Sequence, residues 1–232
     1  MLTSQQIVFE DNHLLIVNKP AGFLVQGDET GDVCLVDVAK QYIKEKYNKP
    51  GNVFCGLVHR LDRPVSGLVV LAKTSKGLER MNAIFQGREV EKRYLAVLMG
   101  KPDNETATLV HKLVKDEKKN LVKAFAATYS QGQLSELTYR FLQVSGANSL
   151  LEVLPKTGRS HQIRVQLASM KTPIVGDLKY GAPQPNEDAS ICLHAFSLKF
   201  THPVTKENLY IKTQPPMVSA WKKFEKHILS LS

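Results

Sequence analysis

Residues 53–72 read VFCGLVHRLDRPVSGLVVLA, two apolar segments on either side of a polar break. The apolar segments, residues 53–58 and 67–72, have the length and the β-branched content of strands. The second segment has no polar side chain after its glycine, which predicts a strand buried on both faces. Because the break at residues 59–64 is too short for a crossover helix, this stretch indicates an antiparallel sheet.

Strands with hairpin-like breaks continue in both directions from this stretch. The sequence therefore predicts an α+β fold with a mixed, mainly antiparallel sheet and flanking helices. Alternating polar and apolar residues over 106–142 predict antiparallel hairpins with a basic tip at 115–119. No linker or repeat divides the chain, so we expect one domain over residues 1–232. Further strands are predicted at 7–10, 13–18, 93–99, 150–154, 191–200 and 208–212, and helices at 33–47, 75–85, 160–170 and 218–229.

Two helix starts carry a short polar side chain that could accept the first unpaired N–H groups. Asp32 is the expected N-cap of the helix at 33–47, and Pro50 with Gly51 is expected to end that helix. Ser160 is the expected N-cap of the helix at 160–170.

Composition restricts the class of protein. The 232 residues include 31 basic and 22 acidic side chains, a net charge of +9 that favours a polyanionic partner. The apolar share of 43% excludes wholesale disorder, and no apolar run approaches the roughly 20 residues of a membrane span. No secretory signal is visible at the start of the chain. Cys34, Cys55 and Cys192 lack CxxC spacing, which argues against a disulfide framework or a zinc site and fits a reducing cytoplasm.

Motifs for a cofactor or a metal are not found in the sequence. The nearest match to a phosphate-binding loop, residues 67–74, has Ala72 in place of its second glycine and reads as a core strand. No GxGxxG, HxxxH or HExxH pattern occurs, and His194 and His202 would lie about 26 Å apart on one extended strand. We therefore predict chemistry without a cofactor and without a metal.

The polar break HRLDRPVSG, residues 59–67, is the first candidate for a reactive site. It places the carboxylate of Asp62 among Arg60, Arg63 and the imidazole of His59. A carboxylate facing cations stays ionised at neutral pH and is available as a nucleophile. The alternative is an ordinary surface turn with a local ion pair, and this segment by itself leaves both interpretations open.

A second candidate is LPKTGRSHQIRVQL, residues 154–167, a strand end, a glycine turn and a helix start. The free amides of the helix start, beside Lys156 and Arg159, could bind a phosphate. Ile163, Leu167 and Met170 form an apolar stripe, with His161 and Arg164 on another face. Arg164 could pair with a buried carboxylate, for which Asp62 is the natural candidate, or make an ordinary salt bridge at the surface.

A third candidate is EKRYLAV, residues 91–97, in which Lys92 and Tyr94 share one face of a strand. That pair could stack on a nucleobase beside a phosphate. The alternative is a half-buried strand tyrosine with no binding role.

Six segments in order resemble the motifs of the RluA-type RNA pseudouridine synthase family. Residues 59–67 resemble its HRLDxxTSG motif, with Val65 where threonine is common, a β-branched residue of similar size. Residues 11–22 resemble the opening of its catalytic domain, and 91–97 its lysine/tyrosine strand. Residues 157–167 resemble TGRxHQIRxxL, 172–181 resemble PIxGDxxYG, and 193–203 resemble LHAxxLxFxHP.

The resemblance implies a role for several residues. It implies that Asp62 is the catalytic aspartate, and that Arg60 enters the RNA stack as the target uridine flips out. It implies that Tyr94 packs on the flipped base, that Arg164 pairs with the catalytic aspartate, and that Ile163 lines the pocket. The implied fold has a central catalytic cleft. Beside these, we expect contacts to the substrate from His59, Lys92, Arg159 and His161.

The implied activity is that of an isomerase, which replaces a carbon–nitrogen glycosidic bond of uridine by a carbon–carbon bond. No energy source is consumed, so no phosphate loop is needed. One carboxylate can begin this reaction, whereas hydrolytic glycosidases generally use two. Whether Asp62 attacks the sugar or the base, or removes a sugar proton, stays open. Two other functions also stay open, a non-catalytic RNA-binding protein on the same scaffold and a base glycosylase.

The expected substrate is a structured RNA, a tRNA stem-loop in preference to rRNA. Many relatives carry an RNA-binding domain ahead of the catalytic one, and the catalytic opening here begins by about residue 7. We therefore expect no separate N-terminal RNA-binding domain, and a cytoplasmic monomer that binds RNA and no membrane. Basic side chains at 115–119 and at Lys222, Lys223 and Lys226 are expected to help, and binding should weaken steeply with salt.

Overall fold

The computed structural model describes residues 2–29 and 31–231, and its fold is α+β with a mostly antiparallel sheet, as predicted. The helices are α1 (Leu35–Lys46), α2 (Ser75–Gln86), α3 (Gln162–Ala168) and α4 (Glu225–Ser230), with 3₁₀ turns at Ser4–Gln6, Leu178–Tyr180 and Ser219–Phe224. The strands are β1 (Ile7–Glu10), β2 (Leu14–Lys19), β3 (Gly56–Leu57), β4 (Ser66–Ala72), β5 (Glu91–Met99), β6 (Thr106–Asp116), β7 (Leu121–Ala126), β8 (Gln133–Ser145), β9 (Asn148–Pro155), β10 (Leu193–Thr201) and β11 (Asn208–Lys212).

The chain forms two compact units. The first consists of Met1–Glu91 together with Ala195–Thr213. The second consists of Lys92–His194 together with Gln214–Ser232.

The first unit is built around β4. Its strand order is β1, β2, β4, β10, with β11 beside β10 and β3 beside β4. All seven residues of β4 are buried, as the apolar run predicts. The β2–β4 register places Leu14 opposite Ala72 and Lys19 opposite Gly67. Met81 of α2 joins Leu68 and other apolar side chains in the core, and each fully buried side chain of this kind contributes about 1.5–3 kcal/mol.

The second unit contains five strands in the order β5, β9, β8, β6, β7. These neighbours pair antiparallel, which confirms the hairpins predicted from the polar/apolar alternation. The β6–β7 turn contains Lys118 and Lys119, at the predicted basic tip. Helix α3 packs against β6 and β7, where Val165 contacts Leu113 and Val122 in a small core.

The predictions for the start of α1, for a strand at 53–58 and for the last helix are wrong. Asp32 does not cap α1, because the helix begins at Leu35 with Cys34 as its N-cap and the Asp32 carboxylate pairs with Arg63 at 2.9 Å. The strand predicted at 53–58 is reduced to the two residues of β3. The helix predicted at 218–229 is divided into a 3₁₀ turn and α4. In the 3₁₀ turn, Trp221 and Phe224 lie three residues apart and are both buried.

In the part of the chain that the structure describes, no helix is long and apolar enough to cross a membrane.

Candidate functional site

The motif loop, residues 59–65, connects β3 to β4 in the first unit. Its turn is closed by the Val65 N–H, which donates to the carbonyl oxygen of Asp62 at 3.0 Å. Leu61 and Val65 are buried, whereas Asp62 is half-buried and Arg60 is exposed. The loop therefore holds the Asp62 carboxylate on a backbone that its buried neighbours fix in place.

Gly67 sets the path of the chain directly after the motif loop. Its φ is +117°, and a Cβ at this position would lie 2.5 Å from the backbone nitrogen and oxygen of Ala195 on β10. A larger residue would combine backbone strain with a steric clash. Only glycine lets β4 approach β10 this closely. The contact with Ala195 therefore explains why the motif has glycine at position 67.

Lys19 is the charged side chain that sequence reasoning missed beside this loop. It is completely buried, and its ammonium donates to the carbonyl oxygens of Pro20 and Phe23 at 2.9 Å and of Arg63 at 3.2 Å. Burial lowers the pKa of Lys19 to about 7, while the charge of Asp62 opposes that shift and Arg63 adds to it. Lys19 thus ties the end of β2 to the backbone of the motif loop. The one sequence signal was a lysine that ends an apolar strand immediately before Pro-Ala-Gly.

Two other polar members of the motif, His59 and Arg63, also contact residues elsewhere in the first unit. The His59 ring stacks on Phe85 with 4.9 Å between centroids, and its Nε2 accepts the Val70 N–H at 3.2 Å. The Arg63 guanidinium pairs with Asp32 and donates from Nε to the Gly22 carbonyl oxygen at 3.0 Å. These contacts support the motif loop from both ends. The substrate contact expected of His59 stays a prediction.

In the second unit, α3 begins at Gln162 and not at Ser160. The Gln162 side-chain oxygen accepts the Arg159 N–H at 3.0 Å and the Thr157 hydroxyl at 2.8 Å. His161 is the N-cap, in the left-handed conformation with φ 51°, and Ser160 is exposed. The prediction of a Ser160 cap is therefore wrong, because the helix begins two residues after Ser160 and its N-cap position is taken by His161.

Helix α3 is buried on all sides and not on one stripe. Every residue from Gln162 to Leu167 is buried, Ile163 among them. Arg164, only 5% exposed, donates from Nε to Oδ2 of Asp177 at 2.7 Å and from Nη2 to Oδ1 at 2.8 Å. Such a parallel pair of charged hydrogen bonds fixes the plane of a guanidinium. Arg164 therefore has the buried carboxylate partner that its position predicts, in Asp177. The expected pairing with Asp62 stays a prediction.

The Tyr180 side chain also lies beside the Arg164 guanidinium. The centroid of its ring lies 5.0 Å from Cζ of Arg164. Its hydroxyl oxygen accepts the Val122 N–H at 3.0 Å and lies 2.7 Å from Nδ1 of His161. Asp177 and Tyr180 belong to the 172–181 segment whose motif was recognised, but sequence reasoning gave neither a role. The sequence feature that could have indicated Asp177 and Tyr180 is an acidic residue and a tyrosine within a loop that contains glycine and proline.

Strand β5 places the remaining candidates of the second unit. Tyr94 is half-buried and lies opposite Val153 on β9. The Lys92 ammonium lies 4.0 Å from the position of a Cβ at Gly158, at the turn before α3. On the opposite face, Arg93 forms an ion pair with Glu152. Lys92 and Arg93 thus have different neighbours, as expected for successive residues of a strand. The Lys92 ammonium lies beside the glycine turn that precedes α3.

The units divide the predicted site residues between them. His59, Arg60 and Asp62 belong to the first unit, and the other six candidates belong to the second. Across residues 2–29 and 31–231, no group of three or more His, Cys, Asp or Glu side chains could hold a metal ion.

Comparison with known proteins gives one consistent family. The model of the RNA pseudouridylate synthase family matches residues 13–169. The dual-specificity RNA pseudouridine synthase RluA of Haemophilus influenzae is 32% identical, over 88% of this chain and 90% of that protein. The ribosomal large subunit pseudouridine synthase C of Vibrio cholerae is 33% identical over 88% of this chain, which spans 64% of that relative's length.

A solved structure supports the same comparison at the level of the fold. The human protein called RNA pseudouridylate synthase domain containing 4 superimposes with a TM-score of 0.77 and 26% identity. The alignment covers 98% of this chain and 92% of the human one.

Proposed function

Since this chain belongs to the RNA pseudouridylate synthase family, we propose that it is an isomerase that converts uridine to pseudouridine in a structured RNA. The observation that carries the proposal is the motif loop with Asp62, which lies within the matched residues and is held by Lys19 and by its own buried neighbours. We further propose that residues 1–232 act as one catalytic domain.

Asp62 is the proposed catalytic carboxylate. The reaction exchanges the carbon–nitrogen bond between sugar and base for a carbon–carbon bond between the same two partners. Substrate and product have the same atoms, so the reaction needs no co-substrate and no energy source. The oxygen of one ionised carboxylate is sufficient to begin it, and this is the role that Asp62 takes.

Three further side chains are proposed to act on the flipped nucleotide. The half-buried ring of Tyr94 stacks on the uracil, and Arg164 supplies a positive charge in the site. The exposed Arg60 enters the RNA stack in place of the extruded base. Extruding a base costs a few kcal/mol, least in a loop or bulge, so the target uridine is placed in a stem-loop. Lys92, Arg159, His161 and Ile163 line the site.

A tRNA stem-loop is the preferred substrate, and rRNA is the second candidate. In favour of tRNA, a compact stem-loop offers one domain a base that is extruded at low unstacking cost. One relative, of which the chain covers 90%, is called dual-specificity. In favour of rRNA, several relatives are named for the ribosomal large subunit. We propose a cytoplasmic location, which the three free cysteines support because free thiols are typical of proteins in a reducing compartment.

The test is carbodiimide mapping of pseudouridine in total RNA from cells with and without this gene, followed by assays of the purified protein on tRNA and rRNA transcripts. We expect one or a few uridines to lose modification without the gene, and the tRNA transcript to be modified faster. Modification of rRNA with an untouched tRNA pool would overturn the tRNA preference. Release of free uracil would identify a base glycosylase.

Asp62→Asn supplies the decisive variant. It keeps the size of the side chain and removes its charge, so we expect the fold and RNA binding to stay nearly intact while turnover is lost. Circular dichroism, a gel-shift assay and the turnover assay measure the three properties on the same preparation. Substantial turnover in Asp62→Asn would overturn the catalytic assignment. An absence of turnover in the unmodified protein, with tight RNA binding, would instead identify a non-catalytic RNA-binding protein.

A further inference from the structure

We propose that Tyr180 is a positioning residue that sets the orientation of the Arg164 guanidinium. This inference rests on the proposed role of Arg164 in the reaction. It concerns contacts within the second unit, and it assigns to Tyr180 a role that is exerted through Arg164.

The first observation is that two different groups restrain the guanidinium in two different directions. Asp177 holds Nε and Nη2 at 2.7 and 2.8 Å, which fixes rotation within the guanidinium plane. The Tyr180 ring lies beside Cζ at 5.0 Å, within the range of a cation–π contact. A carboxylate alone leaves the plane free to tilt about the axis of its two hydrogen bonds, and an aromatic surface beside the plane limits that tilt.

The second observation is that the ring is itself anchored. The Tyr180 hydroxyl oxygen accepts the Val122 N–H at 3.0 Å, and β7 is the last strand in the order of its sheet. The same oxygen lies 2.7 Å from Nδ1 of His161, and the two rings meet edge to face at 87°. Because the Val122 N–H is the donor at one contact, the hydroxyl can give its own proton to Nδ1 of a neutral His161. These two contacts at the hydroxyl restrain rotation of the Tyr180 side chain away from Arg164.

The third observation is that the carboxylate and the ring are carried by one short turn. The N–H groups of Tyr180 and Ala182 both donate to the carbonyl oxygen of Asp177 at 3.0 Å. Asp177 and Tyr180 therefore move together, and anchoring the tyrosine hydroxyl also anchors the carboxylate. The hydrogen bond between the Tyr180 hydroxyl and Val122 of β7 therefore helps to hold the Arg164 guanidinium in place, although it does not contact Arg164.

The test compares two substitutions at this position. Tyr180→Phe removes both anchors and keeps the ring, whereas Tyr180→Leu removes the ring as well. We expect kcat at saturating RNA to fall about fivefold in Tyr180→Phe and about thirtyfold in Tyr180→Leu. We expect KM for the RNA to change less than about twofold, because the loss concerns the orientation of a group in the transition state and not RNA binding.

The control is Tyr210→Leu, the same change at a tyrosine of β11 that is 50% exposed. We expect it to keep the kcat of the unmodified protein. All variants are assayed well below their melting temperatures, which are measured separately. A lowered melting temperature with unchanged kcat in both Tyr180 variants would mean a merely structural tyrosine and would overturn the inference.

Making the Tyr180→Leu substitution in the Arg164→Lys variant shows whether Tyr180 acts through the guanidinium. If it does, adding Tyr180→Leu to Arg164→Lys lowers kcat less than about twofold further, since the group to be positioned is already gone. Full additivity of the two losses would contradict the inference. Failure of the proposed function is recognised separately, by the absence of pseudouridine formation in the unmodified protein.

Discussion

The buried pair of Arg164 and Asp177 is the interaction on which single-residue changes in the second unit should have the largest effect. The side chains are 6% and 1% exposed. Asp177→Asn leaves the guanidinium buried without that carboxylate, and we expect the free energy of unfolding to fall by about 3–5 kcal/mol. The matched change Asp32→Asn removes a pair in which both side chains are 49% exposed, and should cost less than about 1 kcal/mol. Urea denaturation measures both, and equal losses would contradict this account.

Lys19 predicts a pH dependence of stability that follows from its burial. Burial lowers its pKa from 10.5 to about 7 in the folded chain. Between these values the unfolded chain binds more protons than the folded one, so this residue makes stability increase as the pH rises through the window. Lys19→Met removes that contribution. The free energy of unfolding of the unmodified protein, minus that of the variant, should therefore be larger at about pH 9.5 than at about pH 7. A difference that stays constant or falls would refute the argument.

At the scale of the element, Glu10 joins three parts of the first unit. Its carboxylate, at the end of β1, accepts from Lys46 and Tyr42 of α1 at 2.6 and 2.8 Å. It also accepts from Lys73, just after β4, and from Tyr47, both at 2.8 Å. Burial alone would raise the pKa of Glu10, but these hydrogen bonds together hold the pKa at about 2. One carboxylate thus fastens a helix to two strands, which no pattern along the sequence indicates.

The depressed pKa of Glu10 predicts a loss of stability in acid. Its contribution is fully present above the unfolded pKa of about 4.5 and is lost as the pH falls toward 2. Glu10→Gln should be less stable at neutral pH and should lose less further stability between about pH 4.5 and 2. Thermal melting over this range measures the difference. Glu117→Gln, at a residue with a side chain 77% exposed, is the control and should leave the acid limb unchanged.

At the scale of the whole molecule, the net charge of +9 predicts electrostatic RNA binding. The logarithm of the affinity should fall linearly with the logarithm of the salt concentration. Changing Lys118 and Lys119 at the β6–β7 turn to Gln should flatten that slope. The same loss of charge at Lys40 and Lys44 on α1 should have a smaller effect. Filter binding over a salt series measures both slopes, and equal slopes would mean that overall charge and not the turn binds the RNA.

Much of the fold was predictable because its strands carry local patterns. The uniform burial of β4 and the alternation along β6 and β8 are visible residue by residue, since each side chain's environment follows from the pleat. The caps of α1 and α3 were not predictable. Asp32 pairs with an arginine 31 positions later in the sequence, and α3 begins beyond Ser160, after His161 in the left-handed conformation.

The candidate site was predictable as a set of motifs but not as a set of contacts. Asp62, Tyr94 and Arg164 stand in recognisable segments, and their proposed roles still depend on that resemblance. Asp177 and Tyr180 could not be assigned from spacing, because their contacts with Arg164 require an ordered loop to fold back on α3.

The sequence by itself determined the α+β class, the antiparallel strands and the family, since these follow from local side-chain patterns and from ordered motifs. The tertiary structure decided which charges are buried and what they bind. Lys19 under the motif loop, Glu10 between helix and strands, and Asp177 beside Arg164 all depend on partners distant in the chain. These pairings depend on how the folded chain excludes water around each charged side chain. That burial cannot be predicted from a local stretch of sequence.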